Sequence, residues 1–188
     1  MGSENFSILE VNPAARIDAS DYGFPAVFWG KDKSTKAQFC PCEDIFDFSL
    51  VTSCMVCAVH ENKILLAKPP RGWGLPGGRM ELGETPEDCA RREVYEETSV
   101  ELNSLKLIGA WHIEKLFHSK YNGRYPDRAY QLLFLADVKR IDDFVASHES
   151  SAREFVKFDK VQDYHHDFAN FAEIMRYIRK CIRRQSRA

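Results

Sequence analysis

The stretch from Gly78 to Val100 constrains this chain more than any other, because a glycine turn leads there directly into a helix with an acidic face. Thr85 suits the N-cap of that helix, Pro86 suits its first position, and Asp88 completes an approximate capping box. Three glutamates follow at spacings that bring their side chains together on one side, namely Glu93, Glu96 and Glu97. We therefore predict a helix over 86–98 that carries a ridge of carboxylates.

A cluster of carboxylate oxygens suits a hard cation such as Mg²⁺, which completes its shell with water and substrate phosphate oxygens. An ordinary solvated helix face is the alternative, because like charges one turn apart cost only about 0.2–0.5 kcal/mol on an exposed helix. The neighbouring residues favour the cation. The glycine turn at 73–78 allows close backbone approach and can offer a carbonyl ligand. Arg92 can orient a glutamate or pair with Glu84.

The whole segment resembles the Nudix box, a pattern written G-x5-E-x7-R-E-U-x-E-E-x-G-U, in which U is a bulky aliphatic residue. The positions that match it are Gly78, Glu84, Arg92, Glu93, Val94, Glu96, Glu97 and Val100. The preceding residues 73–78 resemble the usual Trp-x-Leu-Pro-Gly-Gly lead-in. Ser99 departs from the pattern, because the family has there the glycine that ends the helix. A left-handed serine at that position costs about 1–2 kcal/mol.

This resemblance implies hydrolysis of a nucleoside diphosphate linked to another group, with Mg²⁺ (or Mn²⁺) as the cofactor. It implies that the metal is held by the Gly78 carbonyl together with Glu93, Glu96 and Glu97. In the family the metals neutralise the diphosphate, polarise phosphorus and deprotonate a water. The general base varies within the family, and Glu93 is one candidate for it. Glu84 and Arg92 are expected to support the metal ligands.

A further acidic residue often reaches such a site from a downstream loop. The segment 148–155 offers Glu149 and Glu154 near a strand-like stretch that ends at Phe158. We favour Glu149, because it precedes the strand and does not lie within it. The residues predicted to be catalytic are thus Glu84, Arg92, Glu93, Glu96, Glu97 and Glu149.

The segment 112–128 is rich in aromatic and basic side chains. Aromatic rings stack bases, at roughly 1–3 kcal/mol per base, whereas lysine and arginine hold phosphates. An exposed loop that its lysines keep in solution is the alternative. The candidate substrate-binding residues are Arg71, Trp73, Arg79, Tyr121, Arg124 and Arg128. Glu114 stands where ADP-ribose-cleaving members of the family have proline and dinucleoside polyphosphate members have tyrosine, so neither subclass is supported.

Three functions remain open from these residues. The leading one is a metal-dependent pyrophosphohydrolase whose substrate is a nucleoside triphosphate or a nucleotide sugar. The second is a catalytically silent, nucleotide-binding module of the same fold. The third is the isopentenyl diphosphate isomerase branch, which needs a catalytic cysteine and a second acidic site in settings that this sequence does not show.

Composition limits the partners of the chain. Its 188 residues carry a net charge of −2, so there is no overall basic field for nucleic acid or anionic lipid. We expect a small-molecule nucleotide as substrate, no stable nucleic-acid partner and no membrane, and we leave a homodimer open. The apolar stretch at 50–59 is too short for a bilayer, and residues 1–10 do not resemble a signal peptide. A cytoplasmic location is therefore expected.

The six cysteines invite a zinc interpretation, because Cys54 and Cys57 have ligand-like spacing. On a strand, however, a spacing of three places these two side chains on opposite faces. Reduced and mostly buried thiols are therefore the better interpretation.

The remaining pattern predicts an α/β fold, a Nudix-like α/β/α sandwich around a mixed sheet. Residues 1–48 are expected to form an N-terminal extension, with a hairpin at 26–29 and 37–40 packed on the main domain, and residues 49–188 form a Nudix-like hydrolase domain. Further strands are predicted at 50–59, 63–68, 104–114, 129–138 and 154–158, with a terminal helix at 167–184.

Overall fold

The computed structural model describes residues 24–42, 47–120, 122–123 and 126–185. Its strands are β1 (Val27–Trp29), β2 (Thr35–Cys40), β3 (Val51–His60), β4 (Lys63–Ala67), β5 (Gly77–Arg79), β6 (Val100–Lys115), β7 (Arg128–Ile141) and β8 (Arg153–Lys157). Its α-helices are α1 (Pro86–Thr98) and α2 (Phe168–Gln185), and two short 3-10 helices lie at Phe48–Leu50 and Phe158–Asp163.

The strands of the described residues form a single mixed sheet in the order β1-β2-β6-β7-β3-β4-β8, with β5 paired to β3. Strands β3 and β7 run parallel, and the other pairs are antiparallel. The predicted mixed sheet is therefore confirmed.

Each face of the sheet carries one helix. Helix α2 covers the face that includes Cys57, where it buries Phe171, Ile174, Met175 and Ile178. Helix α1 covers the face that includes Cys54, where it buries Cys89, Ala90 and Val94. The α/β/α sandwich is confirmed, and the two cysteines of β3 lie on opposite faces as their spacing predicted. Neither helix of the described residues is both long enough and apolar enough to cross a membrane.

The N-terminal hairpin extends this sheet. Strand β1 pairs with β2, and β2 pairs along its whole length with β6, from Thr35 opposite Lys115 to Cys40 opposite Ala110. Residues 1–23 and 43–46 lie outside the described part of the chain. The division into an extension and a main domain remains a prediction.

Helix α1 begins and ends as its sequence predicts. The Thr85 hydroxyl accepts a hydrogen bond from the backbone N–H of Asp88 at 3.1 Å, which caps the first turn. At the other end, Ser99 adopts the left-handed conformation, with φ 53° and ψ 39°. The chain then turns directly into β6 at Val100, earlier than the predicted start at residue 104.

Arg153, on β8, stabilises this turn from outside the helix. Its guanidinium donates to the carbonyl oxygens of Thr98, Ser99 and Asp142, at 2.5, 3.2 and 2.7 Å. The last carbonyls of a helix have no partner within it, so this arginine satisfies groups that the C-cap leaves open. The left-handed serine is therefore held by a tertiary contact.

Replacing Ser99 with glycine is expected to stabilise the protein by about 0.5–1 kcal/mol. Glycine removes the steric cost of the left-handed conformation, and the greater freedom of the unfolded chain offsets part of that gain. Urea unfolding measures the effect, with Ser99→Ala as the control that keeps the Cβ. Equal midpoints for the glycine and alanine variants would contradict the prediction.

Candidate active site

Arg92 is the centre of an ion-pair network on helix α1. Its guanidinium donates to both carboxylate oxygens of Glu84, at 2.6 and 3.0 Å. It also donates to Glu93 at 3.0 Å, to Glu96 at 2.8 Å and to the carbonyl of Arg79 at 2.8 Å. The paired guanidinium lowers the pKa of Glu84 to about 2. Arg92 thus joins the helix to the turn before it and fixes the carboxylates around it.

Glu97 faces inward from the same helix. Its side chain is only 6% exposed, and its Oε2 accepts a hydrogen bond from the Gly77 backbone N–H at 3.0 Å. The guanidinium of Arg71 lies 3.8 Å from its Oε1. Burial raises the pKa of Glu97 to about 7, although the Gly77 N–H and Arg71 oppose that rise. A buried carboxylate with so little compensation favours a cation beside it.

Glu93 lies against the glycine turn. A Cβ built on Gly78 would stand 2.3 Å from the Glu93 Oε2 atom, so only glycine permits this approach. Burial raises the pKa of Glu93, and its hydrogen bond with Arg92 acts in the opposite direction. Gly78 therefore forms the surface that the Glu93 carboxylate packs against.

Glu149 brings a further negative charge to these two glutamates. Its charge raises the pKa values of both Glu93 and Glu97, after the larger effect of burial. The loop that carries it is held by Ser150, whose Oγ accepts from the Lys68 N–H at 3.1 Å. Glu154, the alternative, lies within β8 and is exposed.

These residues fit an Mg²⁺ or Mn²⁺ ion only in part as they stand. Among the described residues, no three acidic, histidine or cysteine side chains converge on one point. Arg92 engages both Glu93 and Glu96, and the Glu96 side chain is 39% exposed. The donor set itself is suitable, because Glu93, Glu97 and the Gly78 backbone offer hard oxygen atoms at a buried glycine cradle.

A cavity of about 770 Å³ opens beside the glycine turn, on the sheet face that α2 covers. We call its two limits the box end and the hairpin end. The box end is lined by Thr52, Ser53, Arg71, Gly77, Gly78 and Arg79. The hairpin end is lined by Val27, Trp29, Thr35, Trp111, Ile113 and Lys115. The box glutamates are not in the lining, but the lining includes Gly77, whose N–H binds Glu97, and Gly78, which the Glu93 carboxylate approaches.

The predicted substrate-binding residues are only partly brought together. Arg71 and Arg79 line the cavity. Trp73 instead packs edge-on against Tyr164, with ring centroids 5.5 Å apart. Arg128 lines a separate hollow of about 330 Å³ and lies 3.9 Å from Glu114. The remaining two, Tyr121 and Arg124, lie outside the described residues.

Sequence reasoning missed His165, which lines the cavity just before α2. Its ring is stacked on Phe171, with centroids 4.6 Å apart, and its Nδ1 accepts the Asp167 backbone N–H at 3.2 Å. The neutral ring therefore carries its proton on Nε2. Burial lowers the pKa of His165 to about 4, with a smaller contribution from His166. Only the fold could reveal this residue, because it lies beside Gly74, which is far from it in the sequence.

The sequence of this chain matches one family of known proteins. The family model described as NUDIX domain matches residues 49–177. The NAD-capped RNA hydrolase NudC of Vibrio parahaemolyticus is 42% identical over 62 residues, which cover 30% of this chain and 24% of that protein. The uncharacterized Nudix hydrolase YvcI of Bacillus subtilis is also 42% identical over 62 residues, which cover 32% of this chain and 39% of that protein.

A longer match is to the NAD-capped RNA hydrolase NudC of Pseudomonas fluorescens, at 34% identity over 100 residues, 47% of this chain and 36% of that protein. The chain thus spans well under half the length of these relatives. Among solved structures, a mutant of the Bacillus subtilis pyrophosphohydrolase BsRppH superposes with a TM-score of 0.52 at 21% identity, over 71% of this chain and 73% of that chain. That likeness shows a shared fold.

Proposed function

This chain belongs to the Nudix family, and we propose that it is a divalent-metal-dependent hydrolase that cleaves the diphosphate linkage of a nucleoside diphosphate joined to another group, X. One observation carries the proposal. Two carboxylates of one helix, Glu93 and Glu97, are withdrawn from water against a glycine turn that borders a large cavity. Withdrawn carboxylates of this kind suit a cation and a phosphate substrate better than they suit a structural role.

We assign Glu93, Glu97 and the Gly78 carbonyl as the residues that would hold Mg²⁺ or Mn²⁺, with Glu96 and Glu149 nearby. When bound, the ion supplies neutralisation of the diphosphate and a more acidic attacking water. Glu93 and Glu97 are both candidates to accept the proton of that water. Glu96 can join them if its contact with Arg92 opens.

The cations around the site have separate tasks in this proposal. Arg92 is a positioning residue, because its hydrogen bonds act through the carboxylates and not on the substrate. Arg71 and Arg79 line the box end of the cavity and can bind phosphate oxygens. Arg71 also lies beside Glu97, so it can bind the diphosphate close to the phosphorus that the water attacks.

Relatives support the substrate chemistry. Several are named NAD-capped RNA hydrolase. For this chain we propose small nucleotides, with the nucleoside triphosphate and nucleotide-sugar classes both included. An RNA-linked nucleotide has the same diphosphate chemistry and belongs in the same panel of substrates.

A panel of nucleotides assayed with Mg²⁺ and with Mn²⁺ tests the proposal. We expect a nucleoside monophosphate as a product, no turnover with a chelator, and recovery when the metal is restored. Mass spectrometry in ¹⁸O-labelled water identifies the phosphorus that is attacked. Binding of nucleotides with no cleavage of any of them would favour the catalytically silent module instead.

A further inference from the structure

The cavity extends well beyond the box. Its lining crosses six strands, from Val27 on β1 through β2, β6, β7 and β3 to Arg79 on β5. Neighbouring strands are about 4.8 Å apart, so five steps correspond to at most roughly 24 Å along the curved sheet. If X were a phosphate group, it would remain at the box end and leave the far half of the cavity unused.

The two ends differ in chemistry. The box end presents two arginines, two hydroxyl side chains and backbone groups, which suit a diphosphate. The hairpin end presents apolar and aromatic side chains, among them Trp29 and Trp111, whose ring centroids are 5.6 Å apart. Polar side chains lie among them, namely Ser34, Thr35, Lys115 and Asn122. Such a lining suits an uncharged aromatic ring system with a few polar edge atoms.

Strand β1 presents its two faces differently. Val27 and Trp29 alternate onto the cavity face, whereas Phe28 between them points away and is 52% exposed. Trp29 is only partly buried against the core, so part of its ring faces the cavity. This hairpin precedes residue 49, where the match to the family begins. The part of the far wall that β1 and β2 supply therefore lies outside the residues that the family model matches, whereas Trp111 and Ile113 lie within them.

We propose that the hairpin end is a subsite for an aromatic base in the group X, so that the substrate is a nucleoside diphosphate joined to a second nucleoside, and that Trp29 determines this specificity. The proposal rests on the proposed function and deepens it. The base of X stacks on the Trp29 ring while the diphosphate lies at the box end beside Arg71. Recognition of X then depends on the hairpin. It does not depend on position 114, where this chain has glutamate and not the proline or tyrosine of the two subclasses.

Diadenosine diphosphate and ATP are matched probes, because they share an ADP half and differ only in X. In the Trp29→Leu variant, which keeps apolar bulk but has no aromatic ring, the ratio of kcat/KM for diadenosine diphosphate to that for ATP is expected to fall roughly tenfold to a hundredfold. Trp29→Phe is expected to restore most of the ratio. Phe28→Ala is the control on the same strand, and it is expected to leave the ratio unchanged.

Calorimetric binding of diadenosine diphosphate, without metal, gives a readout that does not depend on turnover. We expect Kd to rise by a similar factor in Trp29→Leu and not in Phe28→Ala. An unchanged ratio and Kd in Trp29→Leu, or no binding to the wild type, overturns the subsite even if ATP is cleaved. Binding that Trp29→Leu weakens, in a protein that cleaves no member of the nucleotide panel, upholds the subsite and refutes the proposed hydrolase.

Discussion

Replacing Glu97 with glutamine is expected to lower kcat by roughly 10²–10⁴-fold, the range for removal of a group that handles a proton or a catalytic charge. Glutamine has nearly the same shape and can still accept the Gly77 N–H. It cannot supply the negative charge that holds a cation or the base that accepts a proton. Steady-state rates on the best substrate of the panel, at saturating Mg²⁺, measure the effect.

Folding of this variant is not expected to suffer. Burial raises the pKa of Glu97 to about 7, so above that pH the carboxylate is ionised in the folded, metal-free protein and its burial destabilises the fold. A neutral amide avoids that cost, and the unfolding midpoint at pH 8 should be equal or higher. Glu87→Gln, on the exposed first turn of α1, is the control that should keep full activity. Equal turnover in Glu97→Gln and wild type would refute the catalytic assignment.

Replacing Arg92 with glutamine is expected to lower kcat/KM by roughly 10–100-fold, the range for residues that orient metal ligands. Three carboxylates lose their common partner, and their repulsion displaces Glu93 from the glycine turn. The Arg92 side chain is 22% exposed, so the loss of stability should fall between those of exposed and buried ion pairs, at about 2 kcal/mol.

Arg92→Lys separates charge from geometry in this network. Lysine keeps the positive charge but cannot bind Glu84 through two parallel hydrogen bonds. We expect it to recover part of the stability and little of the activity. Kinetics and urea unfolding of both variants, measured at the same pH, provide the comparison. Full activity in Arg92→Gln would show that the carboxylates hold their positions without the arginine.

Local sequence predicted the acidic helix well because its signals act over short range. The N-cap at Thr85, the proline at the first position and the periodic glutamates all operate within a few residues, and the observed helix has the predicted bounds. The alternation rule likewise placed Cys54 and Cys57 on opposite faces. Both inferences need only the repeat of the helix or the strand.

Other features could not be read from local pattern. Strand β6 starts at Val100 because it pairs there with Ile141 of the distant strand β7, and Arg153 holds the carbonyls of the preceding turn. The loop of Glu149, tied to Lys68 by a hydrogen bond from far along the chain, brings a negative charge toward the box glutamates. Similarly, the large cavity combines a hairpin near the start of the chain with His165 near its end.

The linear order of residues determined by itself which groups stand on one face of α1, since a helix repeats every few residues whatever surrounds it. The sheet order decided the remainder: which carboxylates are withdrawn from water, which arginine each one meets, and how far the cavity extends. Burial and charge coupling depend on residues that are distant in sequence and adjacent in space. For that reason the sequence alone predicted the acidic face of α1, whereas the aromatic hairpin end of the cavity was apparent only from the tertiary structure.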